Sequence, residues 1–276
     1  MTKLCRVVQM TIGVAVLAWH AIAAADQAPT SARITVTGAS TLAPLISDLA
    51  KSFDAANPNV RTDVQSGGSS RAITDVRKGT AQVGMVSRAL YPDESDLKAL
   101  LIARDGIAMV VNAANPLKAL TRAQVIDIYS GKIKNWSALG GPDMPITVVS
   151  KAEGRSTLEI FSSYFGLPYR SIKAHVIVGD NQQEIMTISG AKGAIGYVSI
   201  GSAEFEQKKG SPIKLLQLDQ YVPSTGNVAS GAYPISRELN LVSREPLSPE
   251  AKRLLAFVSA PSAKPFIQAH FFVPMP

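Results

Sequence analysis

The chain is poor in the residues that carry much of enzyme chemistry. Of its 276 residues one is cysteine and three are histidine. The cysteine, Cys5, lies in the first few residues, and His20 follows close behind. Residues 1–25 read as a leader removed on export. The remainder then holds no cysteine, which excludes disulfides, thiol catalysis and cysteine-based metal sites. A Ser-His-Asp triad would have to use His175 or His270, and no Gly-x-Ser-x-Gly elbow is present. There is no Gly-x-x-x-x-Gly-Lys-Ser/Thr phosphate loop and no His/carboxylate cluster at metal spacing, so no cofactor or metal is expected. Charges are scattered, with no basic tract and no interleaving of aromatic and basic residues. Nucleic acid is therefore not an expected partner.

Long apolar runs are equally scarce. The longest, 7–22, is short for a membrane span. Lys3 and Arg6 precede it, and Ala21-Ile22-Ala23 or Ala23-Ala24-Ala25 offers an Ala-x-Ala cleavage site. This is the pattern of a secretory signal peptide, and it predicts a periplasmic protein. Removing Lys3 and Arg6 takes the net charge from +7 to +5 (7 − 2), compatible with an anionic ligand.

What is present is a repeated local plan. With 46% hydrophobic residues the chain can bury a substantial core. An alternating strand at 33–37 meets Gly38-Ala39-Ser40-Thr41, and 42–56 has helical apolar spacing. A second strand, 60–65, meets Ser66-Gly67-Gly68-Ser69-Ser70 and a helix from Ala72. A third, 146–150, runs through Lys151-Ala152-Glu153-Gly154-Arg155-Ser156-Thr157 into a helix at 158–165. The strand at 82–86 ends in Ser87-Arg88. The run 107–111 is continuously apolar, as a strand buried on both faces would be. Alternating strands and helices predict an α/β fold with mostly parallel sheets, which bind ligands beyond the carboxyl ends of their strands.

Those ends carry hydroxyls at helix starts, where first-turn N–H groups lack intrahelical partners and the helix dipole favours negative charge. Ser40, Thr41, Ser69, Ser70, Ser87, Ser156 and Thr157, with Arg88, Lys151 and Arg155 as cations, form the expected ligand set for a small oxyanion. Ser95-x-x-Lys98 and Ser189-x-x-Lys192 match a short hydrolase pattern, but neither Ser-Asp-Asn nor Lys-Thr-Gly accompanies them. No catalytic residue is assigned. An exported phosphoester hydrolase using Ser or Thr as nucleophile is the alternative from another class.

Several of these stretches resemble a known family. Gly38-Ala39-Ser40-Thr41, 65–73, and Gly84-Met85-Val86-Ser87-Arg88 are similar to successive segments of the substrate-binding proteins of phosphate ABC importers. Arg104-Asp105-Gly106-Ile107-Ala108, Gly193-Ala194-Ile195-Gly196-Tyr197 and Tyr233-Pro234-Ile235-Ser236-Arg237 also fit. The most specific piece is Ile128-Tyr129-Ser130-Gly131-Lys132-Ile133-Lys134-Asn135-Trp136, with Leu139-Gly140-Gly141. The resemblance implies a two-lobed periplasmic-binding-protein fold of type 2, with a two-strand hinge. Lobe one would be 33–110 plus 237–276 and lobe two 111–236. It also implies inorganic phosphate as ligand and the membrane subunits of an ABC permease as partners. Sulfate, molybdate or arsenate is the alternative ligand. Two positions depart from the family pattern. Lys151 and Gly154-Arg155-Ser156-Thr157 replace an Arg followed by Gly-Ser-Gly-Thr, and Ser87 stands where some members carry a carboxylate.

Overall fold

A computed structural model describes residues 31–275; the expected signal segment lies outside them. In chain order the first half runs β1 (Ala32–Gly38), α1 (Ala43–Ala56), β2 (Val60–Ser66), α2 (Ser69–Lys78), β3 (Val83–Val86) and β4 (Lys98–Asn112). There follow β5 (Ala119–Leu120), α3 (Arg122–Tyr129), β6 (Thr147–Lys151), α4 (Ser156–Phe165), β7 (Val176–Val178), α5 (Asn181–Gly190) and β8 (Ala194–Ser199). The last part is α6 (Ile200–Lys208), β9 (Ile213–Leu215), β10 (Gln217–Leu218), α7 (Thr225–Ala229), β11 (Ser236–Ser243), α8 (Pro249–Ser259), α9 (Lys264–Ala269) and β12 (Val273–Pro274).

The main sheet has the order β2-β1-β3-β11-β4-β8-β6-β7. Its outer pairs are parallel: β1 with β2 and β3, and β6 with β7 and β8. Its centre is antiparallel, because β11 runs against both β3 and β4, and β4 runs against β8. The strand–helix alternation of the sequence could not reveal this. The two central strands are return strands with no crossover helix of their own.

β4 joins the two halves. The stretches 98–103 and 107–111 belong to one 15-residue strand that continues through Arg104-Asp105-Gly106. Up to Gly106 it pairs with β11, and from Ile107 to Val111 with β8. The apolar clusters divide at the same place. One gathers Ile34, Leu45, Ile46, Phe53, Met85, Leu239 and Leu254. Another gathers Met109, Tyr129, Trp136, Phe161, Ile195 and Tyr197.

α1 and α2 each bury one face through their periodicity, α1 in the first cluster and α2 in a separate one with Val86, Leu97 and Val242. α1 buries Leu45, Ile46, Leu49, Ala50 and Phe53, and α2 buries Ala72, Ile73 and Val76 before Gly79 ends it in a left-handed conformation (φ +71°). α4 is held by aromatics. Phe161 stacks on Tyr197 of β8 at 4.0 Å with 10° between the rings, and each such buried side chain contributes about 1.5–3 kcal/mol. That packing fixes the start of α4 beside the end of β6. The helix α6 escapes sequence detection because its Ile200-Gly201-Ser202-Ala203 opening has no apolar stripe.

Candidate functional site

The chain turns at the carboxyl ends of β1, β2, β3 and β6 meet at one place. Gly38 leads into Ser40 and Thr41, Ser66 leads through Gly67-Gly68 to Ser69, and Val86 leads to Ser87. From the other half, Lys151 leads to Ser156 and Thr157. Gly68 adopts φ +94°, and a Cβ placed on it would lie 2.7 Å from the Gly154 carbonyl oxygen. Only glycine lets the two turns approach this closely.

Thr41, Ser69, Ser87, Ser156 and Thr157 are all buried. The Thr41 hydroxyl accepts from Arg237 Nη2 (3.1 Å) and from Asn181 Nδ2 (3.0 Å). The Ser69 hydroxyl accepts from the Ser87 N–H (3.1 Å) and from the Ser156 hydroxyl. A hydroxyl has two lone pairs and one hydrogen. In Thr41 and Ser69 both lone pairs are taken, so each has only its hydrogen left to give. Arg237 Nη1 also donates to Thr157 Oγ1 (3.1 Å) and Ser87 Oγ (3.4 Å). The N–H groups of Thr41, Ser69, Ser156 and Thr157 have no protein acceptor among the described residues. The centre is thus an array of donors, the arrangement that desolvates a small anion.

Arg237 organises this array. Its Nε and Nη2 donate to Asp105 Oδ2 at 3.0 and 2.7 Å, and both side chains are 1% exposed. Asp105 is held in turn by the Gly201 N–H (3.1 Å). Neither Arg237 nor Asp105 was among the residues expected from sequence. A signal existed: Asp105 stands between the apolar runs 100–103 and 107–111 of one strand, and Arg237 shortly precedes the apolar part of β11, and a buried charge needs a partner.

The cations chosen from sequence are placed otherwise. Lys151 is 1% exposed and its ammonium pairs with Glu184 and donates to the Asp180 carbonyl (3.0 Å). Burial lowers its pKa against the opposing pull of Glu184, and burial raises that of Glu184 against the pull of Lys151. Lys151 thus lies beneath the turn with its charge offset by Glu184. Arg88 turns away from the hydroxyls, since Glu94 takes both its Nη1 and Nη2 at 2.7 Å and Glu159 takes its Nε at 3.0 Å. The Ser70 hydroxyl also points to Glu159 (3.3 Å). Arg155 covers Gly68 and reaches towards Gly179, and among the described residues its side chain makes no hydrogen bond. Burial lowers its pKa while Asp180 counteracts. Ser40 stands at the rim, on a groove of about 480 Å³ shared with Thr41, Asp180 and Asn181. The structure thus joins five of the ten expected residues, adds Arg237 with Asp105 and Asn181, and sets Arg88, Ser70 and Lys151 to other partners.

A family model described as the PBP superfamily domain matches residues 23–262. The phosphate-binding protein PstS of Bacillus subtilis is 32% identical over 212 residues, covering 74% of this chain and 68% of its own length. This chain belongs to the PstS family of phosphate-binding proteins. A Pseudomonas aeruginosa PstS matches at 26% identity over 89% of this chain and 84% of its own. A phosphate ABC transporter substrate-binding protein from Clostridium perfringens, solved with bound phosphate, superimposes with a TM-score of 0.82 at 28% identity, covering 88% of this chain and 100% of that one. An ABC-type phosphate transport receptor from Vibrio cholerae gives 0.70 at 30% identity, with the same coverage. These likenesses establish the two-lobed type 2 fold. PstS proteins are binding proteins of transporters rather than enzymes, and act outside the cytoplasm. Among the described residues no helix is long and apolar enough to cross a membrane.

Proposed function

We propose that this chain captures inorganic phosphate between its two lobes, in the periplasm, and presents it to the membrane subunits of an ABC permease. The observation that carries this reading is the pair of hydroxyls, Thr41 and Ser69, whose lone pairs are filled and whose hydrogens remain to donate. The hydroxyls of Ser87 and Thr157 and the free N–H groups at the starts of α2 and α4, that of Ser156 among them, complete the ligand set, with Arg237 supplying charge. Lobe one is 33–110 with 237–276, and lobe two is 111–236. The hinge lies in β4 along Ile107–Val111, just past the point where β4 exchanges β11 for β8, and where the chain returns into β11. The buried hydroxyls are reached by an anion only when the lobes part, and an anion contacting both lobes favours closure.

Titration calorimetry with phosphate tests the site. Thr157→Ala and Ser69→Ala should each weaken binding roughly tenfold, the effect of one hydrogen bond to a charged group at about 1.5 kcal/mol. Unchanged affinity in both variants would sink the assignment. Competition with sulfate, molybdate and arsenate in the same cell ranks the anions, and phosphate should bind tightest.

Gly68→Ala probes the approach of the two turns. Its backbone conformation (φ +94°, ψ 162°) costs an alanine about 1–3 kcal/mol, and the methyl would press on Gly154 across the cleft. Phosphate affinity should fall about tenfold, with a lower melting temperature. Wild-type affinity would mean that closure does not bring these turns together.

A further inference from the structure

We propose that Glu159 is a latch that holds the closed form shut and sets how long the anion stays bound. This rests on the phosphate reading and on the hinge described with it. Glu159 sits in the first turn of α4, where the helix dipole favours a carboxylate. It makes no contact with the hydroxyl cluster, apart from sharing a helix with Ser156 and Thr157. Its three side-chain partners all come from the other lobe. Oε1 accepts from the Ser70 hydroxyl (3.3 Å), and Oε2 accepts from Arg88 Nε (3.0 Å) and the Tyr91 hydroxyl (3.1 Å).

The receiving half is prebuilt within lobe one. Glu94 holds the Arg88 guanidinium through two bonds of 2.7 Å, and that guanidinium lies 3.7 Å from the centre of the Tyr91 ring. When the lobes part, Arg88 keeps a carboxylate partner and buries no uncompensated charge. Glu159, already 26% exposed, lines a groove of about 570 Å³ and passes into water. Both sides of the latch are thus satisfied in either position, as a reversible closure requires. The closed position gains one ion pair and two hydroxyl bonds to the same carboxylate, and these are made only when the cleft is shut. They slow opening without entering the encounter of anion and open protein, so they act on dissociation.

The test is stopped-flow kinetics with inorganic phosphate on the whole protein. Glu159→Gln, which keeps the side chain's size, should raise the dissociation rate constant about tenfold and leave association unchanged. The double variant Ser70→Ala with Tyr91→Phe removes two donors from the opposite side and should raise dissociation by about threefold. A merely structural role would lower the melting temperature without moving dissociation selectively. Dissociation of Glu159→Gln within twofold of wild type overturns the latch. If the wild-type protein fails to bind phosphate, the proposed function fails instead, and the latch is judged by X-ray scattering of the anion-free protein. A larger radius of gyration for Glu159→Gln than for wild type supports it, and superimposable curves overturn it.

Discussion

Replacing Arg237 with methionine should weaken phosphate binding by more than about a hundredfold. The guanidinium donates to the hydroxyls of Thr41, Thr157 and Ser87 and fixes the direction of their hydrogens. Without it Thr41 and Thr157 regain free lone pairs, and an anion meets acceptors where it met donors. Hydrogen bonds to a charged partner contribute about 1.5–3 kcal/mol each, so two misdirected hydroxyls account for a loss of that size before the charge itself is counted. Arg237→Met also strands Asp105, which is buried, at a cost of about 3–5 kcal/mol in stability. The double variant Arg237→Met with Asp105→Asn separates the two effects. It should regain most of the melting temperature and none of the affinity. Arg237→Lys should fall between, since one ammonium cannot hold Asp105 through two donors and reach three hydroxyls. Wild-type affinity in the stabilised double variant would remove Arg237 from the site.

The second large effect is on stability. Lys151→Met leaves Glu184 without its ammonium in a place of no solvent exposure, where its other polar contact is the Tyr197 N–H (2.7 Å). The expected loss is about 3–5 kcal/mol at neutral pH. The loss depends on pH in a definite direction. Burial already raises the Glu184 pKa above its unfolded value, and Lys151 opposes that rise. In the variant the opposition is gone and the pKa climbs further. The folded variant then binds more protons than the unfolded chain between the two pKa values, so its stability falls as pH rises through that window. Thermal melts should show the deficit shrinking on acidification as Glu184 takes up its proton, and a pH-independent deficit would contradict the argument. Phosphate affinity in Lys151→Met, measured where the variant is folded, should change far less than in Arg237→Met.

The contrast between these two cations shows what the sequence could and could not carry. The turns at Ser40-Thr41, Ser69-Ser70 and Ser156-Thr157 were legible because a strand, a glycine and a helix start are local features. The charges were not. Lys151, Arg155 and Arg88 were chosen for standing beside the hydroxyls in the chain, while the guanidinium that reaches them stands 80 residues beyond Thr157 and 150 beyond Ser87. Contacts at such range are set by the sheet order, and the antiparallel β11 between β3 and β4 is the part of that order the alternation of elements concealed. Asn181 escaped for the same reason, since its partner Thr41 belongs to the first helix start. Within each half, the faces of α1, α2 and α4 and the buried strand at 107–111 followed from periodicity, whereas α6, with no apolar stripe, did not.

The position of β11 also governs the order in which the molecule can be made. Strands β3 and β4 are not neighbours; β11, supplied near the end of the chain, is the slat that fits between them. A chain emerging N-terminus first can complete β1 to β3 and the β4–β8 pairing, yet its first half stays split until Ser236 and beyond have appeared. Its first-made half is thus its last to close, because the β3–β11–β4 contacts span the largest sequence separations along the main strand order.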